Sequence, residues 1–121
     1  MKPLFFVRSS QKDLQKLPAE VRRETGHALL RVQWGEVPIQ AKALKGFGGA
    51  DVLELIVRHD GDSYRAVYTV RFAEAVYVLH CFQKKSKSGI STPKQELDLV
   101  RQRLRDAENE YREWKKKDHR S

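Results

Sequence analysis

Residues 51–83, DVLELIVRHDGDSYRAVYTVRFAEAVYVLHCFQ, decide the fold, and in their first part Leu53, Leu55 and Val57 recur at the two-residue period of a β-strand. The pattern breaks at Asp60-Gly61, a strong hairpin signal, since both central positions of a tight turn favour residues that adopt positive φ. The last part is apolar at consecutive positions, which favours a strand inside a sheet. The stretch therefore predicts antiparallel strands at 51–58, 64–72 and 75–83.

The flanking segments predict an α+β fold. Residues 2–8 are short, apolar and aromatic, which is typical of a strand. The apolar spacing that follows predicts a hairpin of helices at about 10–17 and 18–33, with Pro18 in the first turn of the second. Residues 35–51 are rich in glycine and predict a partly ordered loop. The predicted order is β-α-α-β-β-β-α, a small antiparallel sheet with helices packed on one face and the other face partly open.

The last predicted element is the clearest helix. Thr92 is the expected N-cap, Pro93 takes the first helical position and Gln95 follows three residues after the cap. Apolar residues then recur every three or four positions as one continuous stripe, at Leu97, Val100, Leu104, Ala107, Tyr111 and Trp114. We expect one domain over residues 1–121, with a basic end at 115–121 that frays.

The charge points to a polyanionic partner. Twenty-four Lys and Arg oppose sixteen Asp and Glu, which gives a net charge of +8 and a pI near 9.8. From Phe82 onward, twelve basic and seven acidic residues contribute +5 of that excess. Such an excess suits nucleic acid, although a basic protein with a solvated terminal helix has the same composition.

The sequence predicts neither a membrane protein nor a secreted protein. No segment approaches the ~20 apolar residues that a membrane span needs, and the apolar part of MKPLFFVRSS is too short for a signal peptide. The single cysteine, Cys81, cannot form an internal disulfide and fits a reducing compartment. We therefore expect a cytoplasmic protein without a membrane partner.

No cofactor or metal site is predicted. The four histidines, at 27, 59, 80 and 119, lack metal-ligand spacing with one another and with Cys81. The run Gly46-Phe47-Gly48-Gly49 lacks the Lys-Ser/Thr ending of a phosphate-binding loop, so a turn is the simpler interpretation.

A succession of motifs resembles a known family. After the glycine-rich loop come Leu53-Glu54-Leu55 with Arg58, and a hairpin leads to Tyr64-Arg65-Ala66-Val67-Tyr68. Val78-Leu79-His80-Cys81-Phe82-Gln83-Lys84-Lys85 follows, and Thr92-Pro93 opens the last helix. In this order and spacing, over most of the chain, the motifs resemble the phage-related branch of the RelE/HigB toxin superfamily.

The resemblance implies a type II toxin that cleaves messenger RNA on the ribosome, by attack of a 2′-hydroxyl on the adjacent phosphate. Besides the mRNA, the resemblance implies two partners, the ribosome and an antitoxin that is acidic or of the helix-turn-helix type. It implies no metal or cofactor. The reaction needs a base, an acid and positive charge at the phosphoryl oxygens. Lys84 or Lys85 would be the base, because clustered cations lower a lysine pKa. Arg58 and Arg65 would stabilise the transition state, and His80 is a candidate for proton transfer.

Structural alternatives remain open for several of these residues. Arg58 and Glu54 could form an exposed ion pair of little consequence. His80 stands in an apolar strand, where a core histidine is the competing interpretation. Tyr68, a second candidate for proton transfer, lies on the face opposite Arg65 by strict alternation, which favours packing. The best-known relatives carry a proton-transfer group near the C-terminus, but the tyrosine found there, Tyr111, belongs to the apolar stripe.

Two other functions fit the same fold. One is inhibition of DNA gyrase without RNA cleavage, as in the ParE toxins. The other is an inactive RNA-binding module, in which substitution of the basic cluster would weaken binding and its salt dependence.

Overall fold

A computed structural model of the chain describes residues 1–84 and 92–118. In this part, five strands form one sheet and three helices pack against it. The elements in chain order are β1 (Leu4–Phe6), α1 (Ser10–Gln15), α2 (Ala19–Gln33), β2 (Ala41–Ala43), β3 (Val52–His59), β4 (Asp62–Thr69), β5 (Val76–Lys84) and α3 (Lys94–Asp118).

The sheet has the strand order β1-β5-β4-β3-β2. Strands β2 to β5 pair antiparallel with their neighbours, whereas β1 lies parallel to β5. The three strands predicted from the central stretch are therefore the three interior strands. The α+β class is confirmed, with a sheet that is mostly antiparallel.

The β3–β4 hairpin turns where the sequence predicts it. Asp60 has φ 49° and Gly61 has φ 83°, so both central residues are left-handed. This is the backbone that a two-residue hairpin loop requires to match the twist of its strands. The turn sets the register, in which Arg58 lies opposite Ser63.

The helical hairpin α1–α2 covers one side of the sheet, which we call the hairpin face. Apolar side chains of α2 pack there against alternate residues of the interior strands. The buried members of this core are Ala28, Leu29, Val32, Leu53, Leu55, Ala66, Tyr68, Val76, Val78 and Cys81. The predicted alternation of β3 is confirmed, since Leu53 and Leu55 point into this core and Glu54 does not.

The long helix α3 packs on the opposite side, the α3 face, which differs from the predicted packing of all helices on one face. Its buried residues Val100 and Ala107 contact a second core that includes Val52, Val67 and Tyr77. The apolar stripe of α3 needs an apolar surface, and β5 offers one on each of its two faces. The sheet is consequently a middle layer between helices.

Aromatic rings close the far end of this second core. Tyr111 stacks on Phe72 with ring centroids 4.8 Å apart, and Trp114 meets the edge of Phe5 at 5.5 Å. Both residues of the stripe are thus committed to packing, as predicted for Tyr111. The helix continues through Lys115 to Asp118, and the rest of the end for which we predicted fraying, residues 119–121, lies outside the described residues.

Two local predictions differ from the structure. The predicted 35–51 loop contains the edge strand β2, whose Ala41 pairs with Leu55. Three residues are too few to show a periodic pattern, so the backbone of β3 is what orders them. The predicted N-cap of α3 is also displaced, because the carbonyl of Pro93 accepts the first helical hydrogen bonds, from Glu96 and Leu97 at 3.1 Å.

We expect Gly61→Ala to lower the free energy of unfolding by about 1–2 kcal/mol, because a side chain with Cβ is disfavoured at positive φ. The matched control is Gly26→Ala, inside α2, where an added Cβ meets nothing within 4 Å. That change should raise stability by about 0.8–1.0 kcal/mol through helix propensity. Urea denaturation of the two variants measures the difference, and equal effects of the same sign would contradict the turn assignment.

Candidate functional site

The candidate residues lie on the α3 face, in rows that cross strands β3, β4 and β5. Residues paired across antiparallel strands share a face, and neighbouring strands are about 4.8 Å apart. The row nearest the hairpin holds Arg58, Ser63 and Lys84; the next holds Ile56, Arg65 and Phe82; the third holds Glu54, Val67 and His80. Four of the five predicted site residues therefore share one face, and the fifth, Lys85, lies outside the described residues.

Arg65 forms a buried ion pair with Glu54. The Arg65 Nη1 to Glu54 Oε1 distance is 2.8 Å, and the two side chains are 4% and 3% exposed. Arg65 Nε also donates to Ser63 Oγ at 3.1 Å. Glu54 does not pair with Arg58, the alternative that the sequence left open, because residues four apart on a strand are about 13 Å from each other. Arg65 reaches Glu54 as its diagonal neighbour on β4.

Thr92 completes the coordination of the Glu54 carboxylate. Its hydroxyl donates to Glu54 Oε2 at 2.9 Å instead of capping α3, and both residues are buried. A buried carboxylate needs such donors, since removal from water is costly unless both oxygens are bonded. Glu54 therefore connects β3, β4 and the start of α3.

Lys84 is a buried cation at the end of β5, only 6% exposed. Burial lowers the pKa of its ammonium group, and the like charges of Arg65 and Lys42 lower it further, whereas Glu54 acts in the opposite direction. A lysine with a lowered pKa has more free amine near neutral pH. The shift is in the direction that a general base needs.

Arg58 is the exposed cation of the group. It stands across Ser63 from Lys84, and no ion pair to it is found within residues 1–84 and 92–118. A guanidinium in this state can bind a phosphate oxygen through two parallel hydrogen bonds. The site therefore combines one accessible arginine with two buried cations beside it.

His80 is buried and bonded at both ring nitrogens. Its Nε2 contacts the Glu96 carboxylate, and its Nδ1 lies 3.3 Å from Arg103 Nη1. Because a guanidinium can only donate, Nδ1 accepts and we assign the proton to Nε2. The ring also stacks on Phe82 with centroids 4.8 Å apart. The core-histidine interpretation agrees with this placement, although Glu96 connects the ring to a partly exposed carboxylate.

Sequence reasoning missed Arg103. This α3 residue is 8% exposed and donates to the Leu79 carbonyl at 3.0 Å and to Ser9 Oγ at 2.9 Å. It ties α3 to β5 and to the start of α1. Its position contained a signal, since it lies three residues after Val100 and four before Ala107, on the buried stripe.

Other candidate residues lie elsewhere. Tyr68 belongs to the hairpin face, where burial raises its pKa to about 12. Cys81 lies on the same face, and burial raises the pKa of its thiol to about 12. Phe47 of the glycine-rich loop lies under Arg101 of α3, with the guanidinium 5.1 Å from the ring centroid. These residues have packing roles.

The described residues lack two further features. Within residues 1–84 and 92–118, no group of three or more His, Cys, Asp or Glu side chains could hold a metal ion. In the same residues, no helix combines the length and apolar character needed to cross a membrane.

Comparisons with known proteins agree on the class of fold. The family model described as phage-derived protein Gp49-like matches residues 12–105. The chain is similar to a solved structure of the E. coli toxin RelE, a double arginine-to-alanine mutant in the free state. That match has 23% identity and a TM-score of 0.55, and it covers 71% of this chain and 86% of the other. No curated protein matches the chain significantly.

The buried pair predicts a strongly non-additive stability effect. Arg65→Met alone leaves the Glu54 carboxylate buried without its cation and should cost about 3–5 kcal/mol. The double variant with Glu54→Leu removes both charges and should be more stable than Arg65→Met, as measured by urea denaturation.

The control is the pair of Arg71 and Asp51, which has two contacts of 3.0 and 3.1 Å but is more than one-third exposed. Arg71→Met should cost no more than about 1 kcal/mol, since water screens the pair. Equal losses for Arg65→Met and Arg71→Met would show that burial does not govern the Arg65 pair.

Proposed function

The chain belongs to the Gp49-like family of phage-derived proteins, a family of RelE/HigB-like toxins, and we propose that it is a metal-independent endoribonuclease that cleaves messenger RNA on the ribosome. As a RelE-like toxin it is one half of a toxin–antitoxin pair.

One observation carries the proposal. Arg58, Arg65 and Lys84 come from three neighbouring strands yet converge on one corner of the α3 face, around Ser63. Glu54 pairs with Arg65, whereas the exposed guanidinium of Arg58 has no ion pair within residues 1–84 and 92–118, so the corner presents positive charge to solvent. A cleft lined by cations favours the negative charge that develops on a phosphoryl group under attack.

The reaction assigns a role to each group. The RNA 2′-oxygen forms a bond to the adjacent phosphorus as the bond from phosphorus to the 5′-oxygen breaks, which leaves a cyclic phosphate and a 5′-hydroxyl. Lys84, as free amine, takes the proton of the 2′-hydroxyl, and Arg58 binds the phosphoryl oxygens from the exposed side. Arg65 adds charge and positions the corner through Ser63 and Glu54. Lys85 is the neighbouring cation in the sequence and a second candidate base.

The leaving 5′-oxygen needs a proton, and we assign its delivery to the imidazolium form of His80, in which the ring has taken up a second proton, because the neutral ring is too weak an acid to give up its N–H. The proton on Nε2 faces Glu96, whose side chain is 29% exposed. His80 shares the α3 face with Lys84 and is separated from it along β5 by Phe82. An RNA that displaces Glu96 would expose Nε2–H to the leaving group.

Binding of RNA fits the distribution of charge. The net charge of +8 favours association with a polyanion. Phe82, partly exposed between His80 and Lys84, offers an aromatic face on which a base can stack.

We expect cleavage of mRNA at codon-phased positions in a reconstituted translation system, and only when ribosomes are present. Arg58→Ala should reduce the rate by about 10²-fold or more, as loss of one transition-state donor does, without unfolding an exposed position. Lys84→Ala and Arg65→Ala should also abolish cleavage.

The control is Arg23→Ala, which breaks only an exposed ion pair with Glu20 on the other face of the sheet. It should cleave at the wild-type rate. The outcome that would refute the nuclease combines two measurements: the mRNA stays intact in this assay at every protein concentration, and expression of the protein in cells still stops growth. That result would favour a target such as gyrase.

The pH profile tests Lys84 as the base. Because its pKa is lowered, the rate of wild-type cleavage should rise with pH and level off below the ordinary lysine value of 10.5. Lys84→Arg keeps the charge but cannot lose its proton near neutral pH, so this rising part should disappear. The measurement is the single-turnover rate on preassembled ribosome complexes, for the wild type and for Lys84→Arg at each pH. The ratio of the two rates removes the pH response of the ribosome, because both proteins act on the same complexes. A ratio that does not change with pH would exclude Lys84.

A further inference from the structure

Strand β2 places a lysine on the α3 face at the edge of the sheet. Lys42 pairs with Glu54 across β2 and β3, and paired residues of antiparallel strands share a face. The neighbours of Lys42 in the chain support this placement, because Leu44 is buried in the core that α3 covers, whereas Ala41 packs against the core of the hairpin face. Lys42 thus extends the row of Glu54 and His80 by one strand.

The charge of Lys42 is available to a ligand. Lys42 is exposed, and no ion pair of its side chain is found within residues 1–84 and 92–118. The carboxylate opposite it, that of Glu54, already has both oxygens bonded, to Arg65 at 2.8 Å and to Thr92 at 2.9 Å. A lysine ammonium group in this state is a compact, accessible positive charge, which is what a phosphate group binds.

Lys42 lies within electrostatic reach of the proposed catalytic corner. Burial and the charge of Arg65 lower the pKa of Lys84, and the charge of Lys42 lowers it further. Arg58 lies four positions along β3 from the residue opposite Lys42, so the Cα atoms of Lys42 and Arg58 are about 14 Å apart. Two exposed cations therefore stand on one face, at a separation that a short run of nucleotides spans.

We propose that Lys42 is a second RNA-binding residue of the α3 face, which holds a phosphate that flanks the one bound by Arg58. The RNA strand runs from the corner across β3 to the edge of the sheet, so that one exposed cation binds it at each end. The contact positions the strand and reads no base, because every nucleotide carries the same phosphate. The inference rests on the proposed function for one point only, the identity of the polyanion as RNA.

A lysine on an edge strand can also serve a different purpose. Charged side chains, lysine above all, protect the edge of a sheet from pairing with another chain. Strand β2 is such an edge, since it is the last strand in the order β1-β5-β4-β3-β2. Edge protection requires only that Lys42 is exposed, whereas RNA binding requires that it faces the same side as Arg58. The two roles therefore predict different results for the same substitution.

The test measures RNA binding without cleavage. The probe is a short, fluorescently labelled single-stranded RNA whose 2′-hydroxyls are methylated, titrated with the full chain at a series of salt concentrations. Lys42→Ala should raise the Kd about fivefold at 0.1 M salt and lower the slope of log Kd against log salt by about 0.7, the value for one phosphate contact to a single strand. Lys42→Arg keeps the charge and should restore both the Kd and the slope.

The matched control is Lys12→Ala, which removes the same charge from an exposed lysine of α1. Helix α1 lies on the hairpin face, so this variant should keep the wild-type Kd and the wild-type slope. Equal effects of Lys12→Ala and Lys42→Ala would overturn the inference, because the change in net charge would then explain both.

The outcomes separate this inference from the nuclease proposal. Unchanged RNA affinity of Lys42→Ala, or no binding of the probe to the wild type, would overturn the inference whatever the cleavage assay shows. Unchanged affinity together with self-association of Lys42→Ala, measured by sedimentation, would overturn it in favour of edge protection. A loss of affinity in Lys42→Ala but not in Lys12→Ala, with mRNA intact in the translation assay, would leave the inference standing and remove the nuclease.

Discussion

The rest of the structure depends on one buried carboxylate. Glu54 sits in the middle of an interior strand, where an unpaired charge would be prohibitive, and it is tolerated because Arg65 and Thr92 bond its two oxygens. These bonds tie β4 and the start of α3 to the same point of β3. One side chain thus holds together β3, the start of the last helix and the arginine of the site.

The sheet is the middle layer between helices, and the candidate site lies on only one of its two faces. The hairpin face is apolar and closed by α1 and α2, whereas the α3 face carries polar residues among its apolar ones. Arg103 anchors α3 through Leu79 and Ser9, at the row next to His80. Arg58 and Lys84 belong to a different row, the one beside the turn between β3 and β4.

Much of the fold could be predicted from local patterns. The alternation of β3, the positive φ of Asp60-Gly61 and the stripe of α3 all depend on neighbours close in the chain, and all three are confirmed. Strand β2 and the shifted start of α3 were missed. Each depends on a distant partner, namely the backbone of β3 for Ala41 and the Glu54 carboxylate for Thr92.

The sequence by itself determined the α+β class and the interior strands, because the strand period and the turn signals are local. The register between the strands then put Arg58, Arg65, His80 and Lys84 on one face. Only the tertiary structure decided which acid pairs with which base. Glu54 pairs with Arg65 and not with Arg58. Arg65 is its diagonal neighbour on the next strand and lies close, whereas Arg58 is four positions along the same strand and lies too far away. Burial and the like charges of Arg65 and Lys42 lower the pKa of Lys84, a consequence of surroundings that no local pattern contains.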